Sequence, residues 1–220
     1  MSKNKPNLTI QGLIAEAKAF SDLVSHRRYA NLYGVTDGKA IGTFIEQKFQ
    51  SYLSRRYVFA KGNSASGLDL PAVNCDIKVT SIHQPQSSCP YKDSKQKIYG
   101  LGYSLLVFVY DKYDDSQTLQ SQLRFVSCVY VDATKTADYQ TTVGLHRIIE
   151  KKGNVDDVFA YLVERNIPGD EVTLFNLAET ILADPPQIGY LTISNALQWR
   201  LQYRRVVNLC ENIDGITKII

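Results

Sequence analysis

No stretch of this 220-residue chain is long and apolar enough to cross a bilayer. Its longest hydrophobic run is "SLLVFVY", far short of the roughly 20 residues a spanning helix needs. The N-terminus, "MSKNKPNLTIQ", has no apolar signal core. Cysteine is sparse. Cys75, Cys89, Cys128 and Cys210 are scattered and form no CxxC pair, which excludes a zinc ribbon and makes a reduced, cytoplasmic protein the simplest expectation. Cys75 and Cys128 fall inside apolar strand patterns, where cysteine behaves as a small buried hydrophobe. The three histidines, His26, His83 and His146, lack metal-ligand spacing. There is no P-loop, no GxSxG and no GxGxxG. Charge of one sign is also missing: 25 basic against 22 acidic residues leave a net +3, mild enough to be compatible with nucleic acid without arguing for it.

What is present suits an ordinary globular core, with 44% hydrophobic residues. Helical spacing runs over residues 8–24 (Leu13, Ile14, Ala17, Phe20, Leu23) and 38–55 (Ile41, Phe44, Ile45, Phe49, Leu53). "KGNSASG" reads as a loop. Strand patterns follow at 73–82, 104–111 and 124–132, with a short helix or turn before Gly100 or Gly102. The middle strand, apolar throughout, reads as buried on both faces. Beyond residue 134 the spacing turns helical, over 136–153, 155–166 with Asn154 as N-cap, 169–184 stopped by Pro185 and Pro186, and 192–212. The expected fold is mixed α/β: a core over 1–134 and a helical C-terminal region over 135–220.

Residues 73–82 place Asp76 and Lys78 on one strand face, with Cys75, Ile77 and Val79 on the other. Asp69 lies seven positions before Asp76, and a tight turn would return it beside that carboxylate. Two adjacent carboxylates repel each other and favour a hard divalent cation. With a lysine alongside, they outline metal-assisted phosphodiester hydrolysis. Acid-x-Lys occurs six times, led by Glu16, Asp37, Glu46, Asp76, Asp93 and Glu150, but only Asp76 has an Asp seven residues upstream and a clear strand around it. An exposed Asp–Lys pair on an edge strand is the bland alternative.

The Asp69-x6-Asp76-x-Lys78 pattern resembles the PD-(D/E)xK nuclease motif, with spacing most like the MutH and Sau3AI-type branch. The run "DIKVTSIHQPQSS…QKIYGLGYSLLVFVYDK" is similar to type II restriction endonucleases. The likeness is best over 38–111. Leu68 stands where a proline is usual, and the second acid is Asp, not Glu. The resemblance implies a restriction-endonuclease-like core, a central mixed β-sheet flanked by helices. It implies Mg2+-dependent, sequence-specific cleavage of double-stranded DNA leaving 5′-phosphate and 3′-hydroxyl ends, with Mn2+ as a substitute metal. Asp69, Asp76 and the Ile77 carbonyl would hold the metal, Lys78 would place the water, and Glu46 would contribute from a Gly-x-x-x-Glu run, Gly42 to Glu46. Nicking or junction resolution by the same fold, and DNA binding without catalysis, are the alternatives.

Residues placed to meet DNA follow. His83, Gln84, Gln86, Ser87 and Ser88 come directly after the strand, and Gln reads adenine in bidentate fashion. Lys92, Lys95 and Lys97 could bind phosphate, as could Arg27 and Arg28. Arg200, Arg204 and Arg205 alternate with Trp199 and Tyr203 on the last expected helix, where Trp199 reads as core. A homodimer is expected for a palindromic target, with a monomer as the other possibility, together with a cognate DNA methyltransferase.

Overall fold

A computed structural model describes residues 5–60, 62, 67–89, 92–194 and 199–220. Helix α1 (Ile10–Ser25) is capped by Thr9, whose side chain accepts from the Gly12 amide. It buries Leu13, Ala17, Phe20 and Val24, while Leu23, expected on that face, stays exposed. After the two-residue strand β1 (Arg28–Tyr29), helix α2 (Gly38–Ser54) starts at the Asp37 cap and buries Ile41, Ile45, Phe49 and Leu53. Both helices pack on one face of a central sheet. Phe20 and Phe49 lie with ring centroids 4.9 Å apart, and Phe49 meets Phe108 edge-on at 5.1 Å.

The sheet is built from β2 (Cys75–Ser81), β4 (Ser104–Asp115) and β5 (Gln120–Val131), in the order β1-β5-β4-β2; β3 (Gln86–Ser88) lies outside it. β2 runs parallel to β4, and β4 and β5 form an antiparallel hairpin with a bulge beyond Val109. β4 is buried on both faces for its first seven residues. Leu106, Phe108 and Tyr110 join the α1–α2 core, whereas Leu105, Val107 and Val109 face a second core with Val129 and Val131. The expected strands, 104–111 and 124–132, are lengthened at the hairpin end, to Asp115 in β4 and from Gln120 in β5. Charges pair across the hairpin, as in Arg124–Asp111 at 3.2 Å. Cys75 and Cys128 are fully buried, as expected.

Beyond the short helix α3 (Gln96–Tyr99), three helices follow: α4 (Tyr139–Glu150), α5 (Val155–Glu164) and α6 (Glu171–Ala183). Asn154 caps α5 in a full capping box with Asp157. These helices close a third core around Leu145, Leu162, Leu177 and Ile181.

The long helix expected over 192–212 is absent among the described residues. That span holds β6 (Thr192–Ser194), β7 (Arg200–Gln202) and one turn of helix, α7 (Arg204–Val207). Part of the expected helix (195–198) and most of the expected "KGNSASG" loop lie outside the described residues. Tertiary context overrides the local periodicity. Ile193 and Leu201 pair across β6 and β7 and bury on the second face of β4. β7 sits between β6 and β3 in a separate three-stranded sheet. The chain then returns to the central sheet, where β8 (Ile216–Lys218) pairs with β5.

Candidate active site

The site begins with a four-residue turn. Leu70 and Cys75 exchange backbone hydrogen bonds at 3.0 and 3.2 Å. Between them Pro71–Val73 form a single 3-10 turn, and Asn74 takes the left-handed conformation (φ 46°, ψ 48°). Proline pre-sets the first φ, and Asn tolerates the left-handed one. This turn delays the start of β2 from the expected residue 73 to Cys75, and it sets Asp69 beside Asp76.

The contacts there are specific. The Asp69 amide lies 3.4 Å from Asp76 Oδ1, and the Ile77 amide donates to Asp69 Oδ2 at 3.0 Å. Lys78 Nζ meets Asp76 Oδ2 at 2.6 Å. Asp76 is 6% exposed, so this is a largely desolvated ion pair rather than a solvated edge pair. Burial and the hydrogen-bonded Asp76 carboxylate push the Asp69 carboxyl up to about 7 against the pull of the Ile77 amide. Burial also raises the Glu46 carboxyl; the Lys78 ammonium lowers it and the Asp76 carboxylate raises it. Glu46, on α2, thus shares one electrostatic neighbourhood with Asp76 and Lys78. Gly42, one turn earlier, faces Val79, and an added Cβ would sit 3.9 Å from the Val79 carbonyl. That is ordinary contact, so clearance does not demand the glycine.

Lys78 and Glu46 line a cleft of about 720 Å³ between α2, β2 and the small sheet. Gln84, Gln86, Ser87, Ser88 and Arg200, all singled out for DNA, line the same cleft. Arg200 arrives there because β3 and β7 pair with Ser88 opposite Arg200. Lys92 lies nearby, its ammonium 5.7 Å from the Tyr103 ring centroid. Arg204 and Lys95 are exposed. His83 is exposed, with Nε2 3.8 Å from Asp111.

Other candidates are drawn elsewhere. Lys97 is 4% exposed, and burial lowers its pKa while the Asp138 carboxylate raises it. That burial removes it from the residues able to meet a phosphate. The Arg205 guanidinium stacks on Tyr139 at 3.6 Å. Arg28 pairs with Asp115 at 2.8 Å, and Arg27 lines a different groove with Lys48 and Arg55. Trp199 packs against the second core.

Sequence reasoning passed over Lys39 and Thr43, which line the cleft from α2. The signal was there: Lys39, Gly42, Thr43 and Glu46 stand at i, i+3, i+4 and i+7, a polar stripe beside the apolar one.

Among the described residues, no three His, Cys, Asp or Glu side chains converge as a ready metal cage. The donor chemistry nonetheless fits a hard divalent cation. Two carboxylates and a third nearby offer oxygen ligands; burial first, then the Asp76 and Glu46 carboxylates, raise the Asp69 carboxyl, and a bound cation would favour its ionised form.

Comparison with known proteins identifies the family. A family model described as "Type II restriction enzyme NspV" matches residues 7–218. A protein described by the same words, from Nostoc sp. (strain ATCC 29411 / PCC 7524), is 54% identical over 212 residues, covering 96% of each chain. No solved structure matches. With its family model spanning nearly the whole chain, this protein belongs to the NspV family of type II restriction enzymes.

Proposed function

We propose that Asp69, Asp76 and Lys78 form the catalytic centre of this sequence-specific endonuclease, as a PD-(D/E)xK site with Glu46 in support. The observation that carries the assignment is the largely desolvated Asp76–Lys78 pair at 2.6 Å, joined to Asp69, with Lys78 opening onto the cleft that Gln84, Gln86 and Arg200 line. Asp69, Asp76 and the Ile77 carbonyl hold Mg2+, with Mn2+ able to replace it. β2 is the edge strand beside β4, and the Ile77 amide already turns away from β4 toward Asp69; its carbonyl shares that free edge. The bound cation supplies charge neutralisation at the scissile phosphate and acidifies a water.

The residues of the chain do the rest. Asp76 holds Lys78 in place, and the Lys78 ammonium orients the attacking water and steadies charge on the phosphorane. Glu46, its carboxyl raised by burial, offers a proton-accepting oxygen on the α2 side. Cleavage leaves 5′-phosphate and 3′-hydroxyl ends. Gln84, Gln86 and Ser87 read base edges, and Lys92, Lys95, Arg200 and Arg204 meet the backbone. A homodimer would match a palindromic target, and a cognate methyltransferase would protect the host's copies of it.

The test is digestion of unmethylated phage DNA with Mg2+. Wild type gives discrete fragments, and Asp76→Ala or Lys78→Ala slows cutting by about 10²–10⁴-fold. Undiminished cutting by both variants would sink the assignment.

A further inference from the structure

Thr80 stands two positions beyond Lys78 on the same face of β2 and is 5% exposed. Its hydroxyl reaches forward into the turn that follows the strand. Oγ1 lies 3.1 Å from the Gln84 carbonyl, 3.1 Å from the Gln86 carbonyl and 3.1 Å from the Gln86 amide. A hydroxyl has one proton and two lone pairs. It therefore accepts from the Gln86 amide while donating to one carbonyl at a time. The Gln86 amide also faces the Gln84 carbonyl at 2.8 Å, closing a tight loop around the buried Pro85. One side chain on the catalytic strand thus fixes the backbone of both glutamines that line the cleft.

The turn is held equally firmly on its far side. The Tyr203 amide donates to the Pro85 carbonyl at 2.8 Å, and the Tyr203 hydroxyl lies 2.5 Å from Ser87 Oγ. Tyr203 is fully buried in the second core. The turn is thus held between a packed core on one side and Thr80, two residues from Lys78, on the other.

We propose that Thr80 is a positioning residue that couples base recognition at Gln84 and Gln86 to the placement of Lys78, so that a wrong base at the cleft lowers the cleavage rate. The inference rests on the cleft being the DNA-reading face. Thr80→Val keeps the volume and removes the hydroxyl, freeing the turn from the strand while leaving Asp69, Asp76 and Lys78 intact.

The experiment takes the target mapped from the wild-type digest. It measures single-turnover cleavage of duplexes carrying that target, or the target with one base changed, in Mg2+. For Thr80→Val, the ratio of target to changed-base rates falls about tenfold or more, and Thr80→Ser restores it; about 1.4 kcal/mol of lost discrimination corresponds to that tenfold change. An unchanged ratio overturns the proposal, whether the rates match wild type or fall uniformly across all duplexes. Thr80→Ala gives the same reading if valine prevents folding. Failure of the underlying assignment looks different: Asp76→Ala would still cut, with Thr80 untouched.

Discussion

At the scale of single residues, the site is defined by charge that has nowhere to go. Asp69 sits at about 7 against an ordinary 3.8, so near neutral pH the folded chain keeps a proton that the unfolded chain has already released. This contribution to stability is complete below about 3.8 and is lost as pH rises through about 7. In the metal-free protein, Asp69→Asn should flatten the fall in melting temperature across that window, read by thermal scans at a series of pH values. Because a cation needs the ionised carboxylate, added Mg2+ should raise the melting temperature more on the alkaline side of the window than on the acid side. An equal rise at both ends would contradict the role of Asp69. The pairing of Asp76 with Lys78 was legible in the sequence because strand alternation is rigid: residues two apart must share a face. The burial of Lys97 was not legible. It depends on α4 packing over α3, with Asp138 brought alongside from forty residues away.

At the scale of elements, the turn between Leu70 and Cys75 decides whether Asp69 reaches Asp76. Its weak point is Asn74, left-handed with φ 46°. A β-branched residue there is strained, by about 1–2 kcal/mol from the backbone alone. Asn74→Val should lower stability in urea by that amount or more, since the Asn74 side chain also donates to the Gly102 carbonyl at 3.0 Å, and it should slow cleavage. Asn74→Gly, which keeps the backbone conformation, should cut at close to the wild-type rate despite losing that bond. The helices α1, α2 and α4–α6 were visible from apolar spacing and from caps such as Asn154. The three-residue strands β3, β6 and β7 were not. Three residues show too little alternation to stand out, and the aromatic and arginine spacing of 192–212 mimics a helix. What makes β7 a strand is its two neighbours, one of them over a hundred residues earlier in the chain.

At the scale of the whole molecule, two cores lie on opposite faces of the central sheet and a third lies among α4, α5 and α6. The sheet is completed by residues distant in sequence: β5 carries β1 from the beginning of the described chain and β8 from its end. Ile216, 1% exposed on β8, packs into the second core beside Leu201 and Tyr203. Ile216→Ala should cost about 2–5 kcal/mol, measured by urea denaturation. The loss should reach the cleft, because Tyr203 in the same core anchors the turn at Pro85. Composition and hydropathy indicated a mixed α/β fold, but the closure of its sheet by β8 rests on long-range pairing that no local pattern records.

The β3–β7 pairing has a consequence for the cell that makes this enzyme. Asp69, Asp76 and Lys78 leave the ribosome early, while the strand that delivers Arg200 and fixes Ser87 through Tyr203 is translated only after α4, α5 and α6. On the proposed assignment, a nascent or prematurely terminated chain would carry Asp69, Asp76 and Lys78 but lack Arg200 and the Tyr203 anchor. Any cutting that such a chain retained should therefore be unselective, so selectivity is acquired only when the last strands are made.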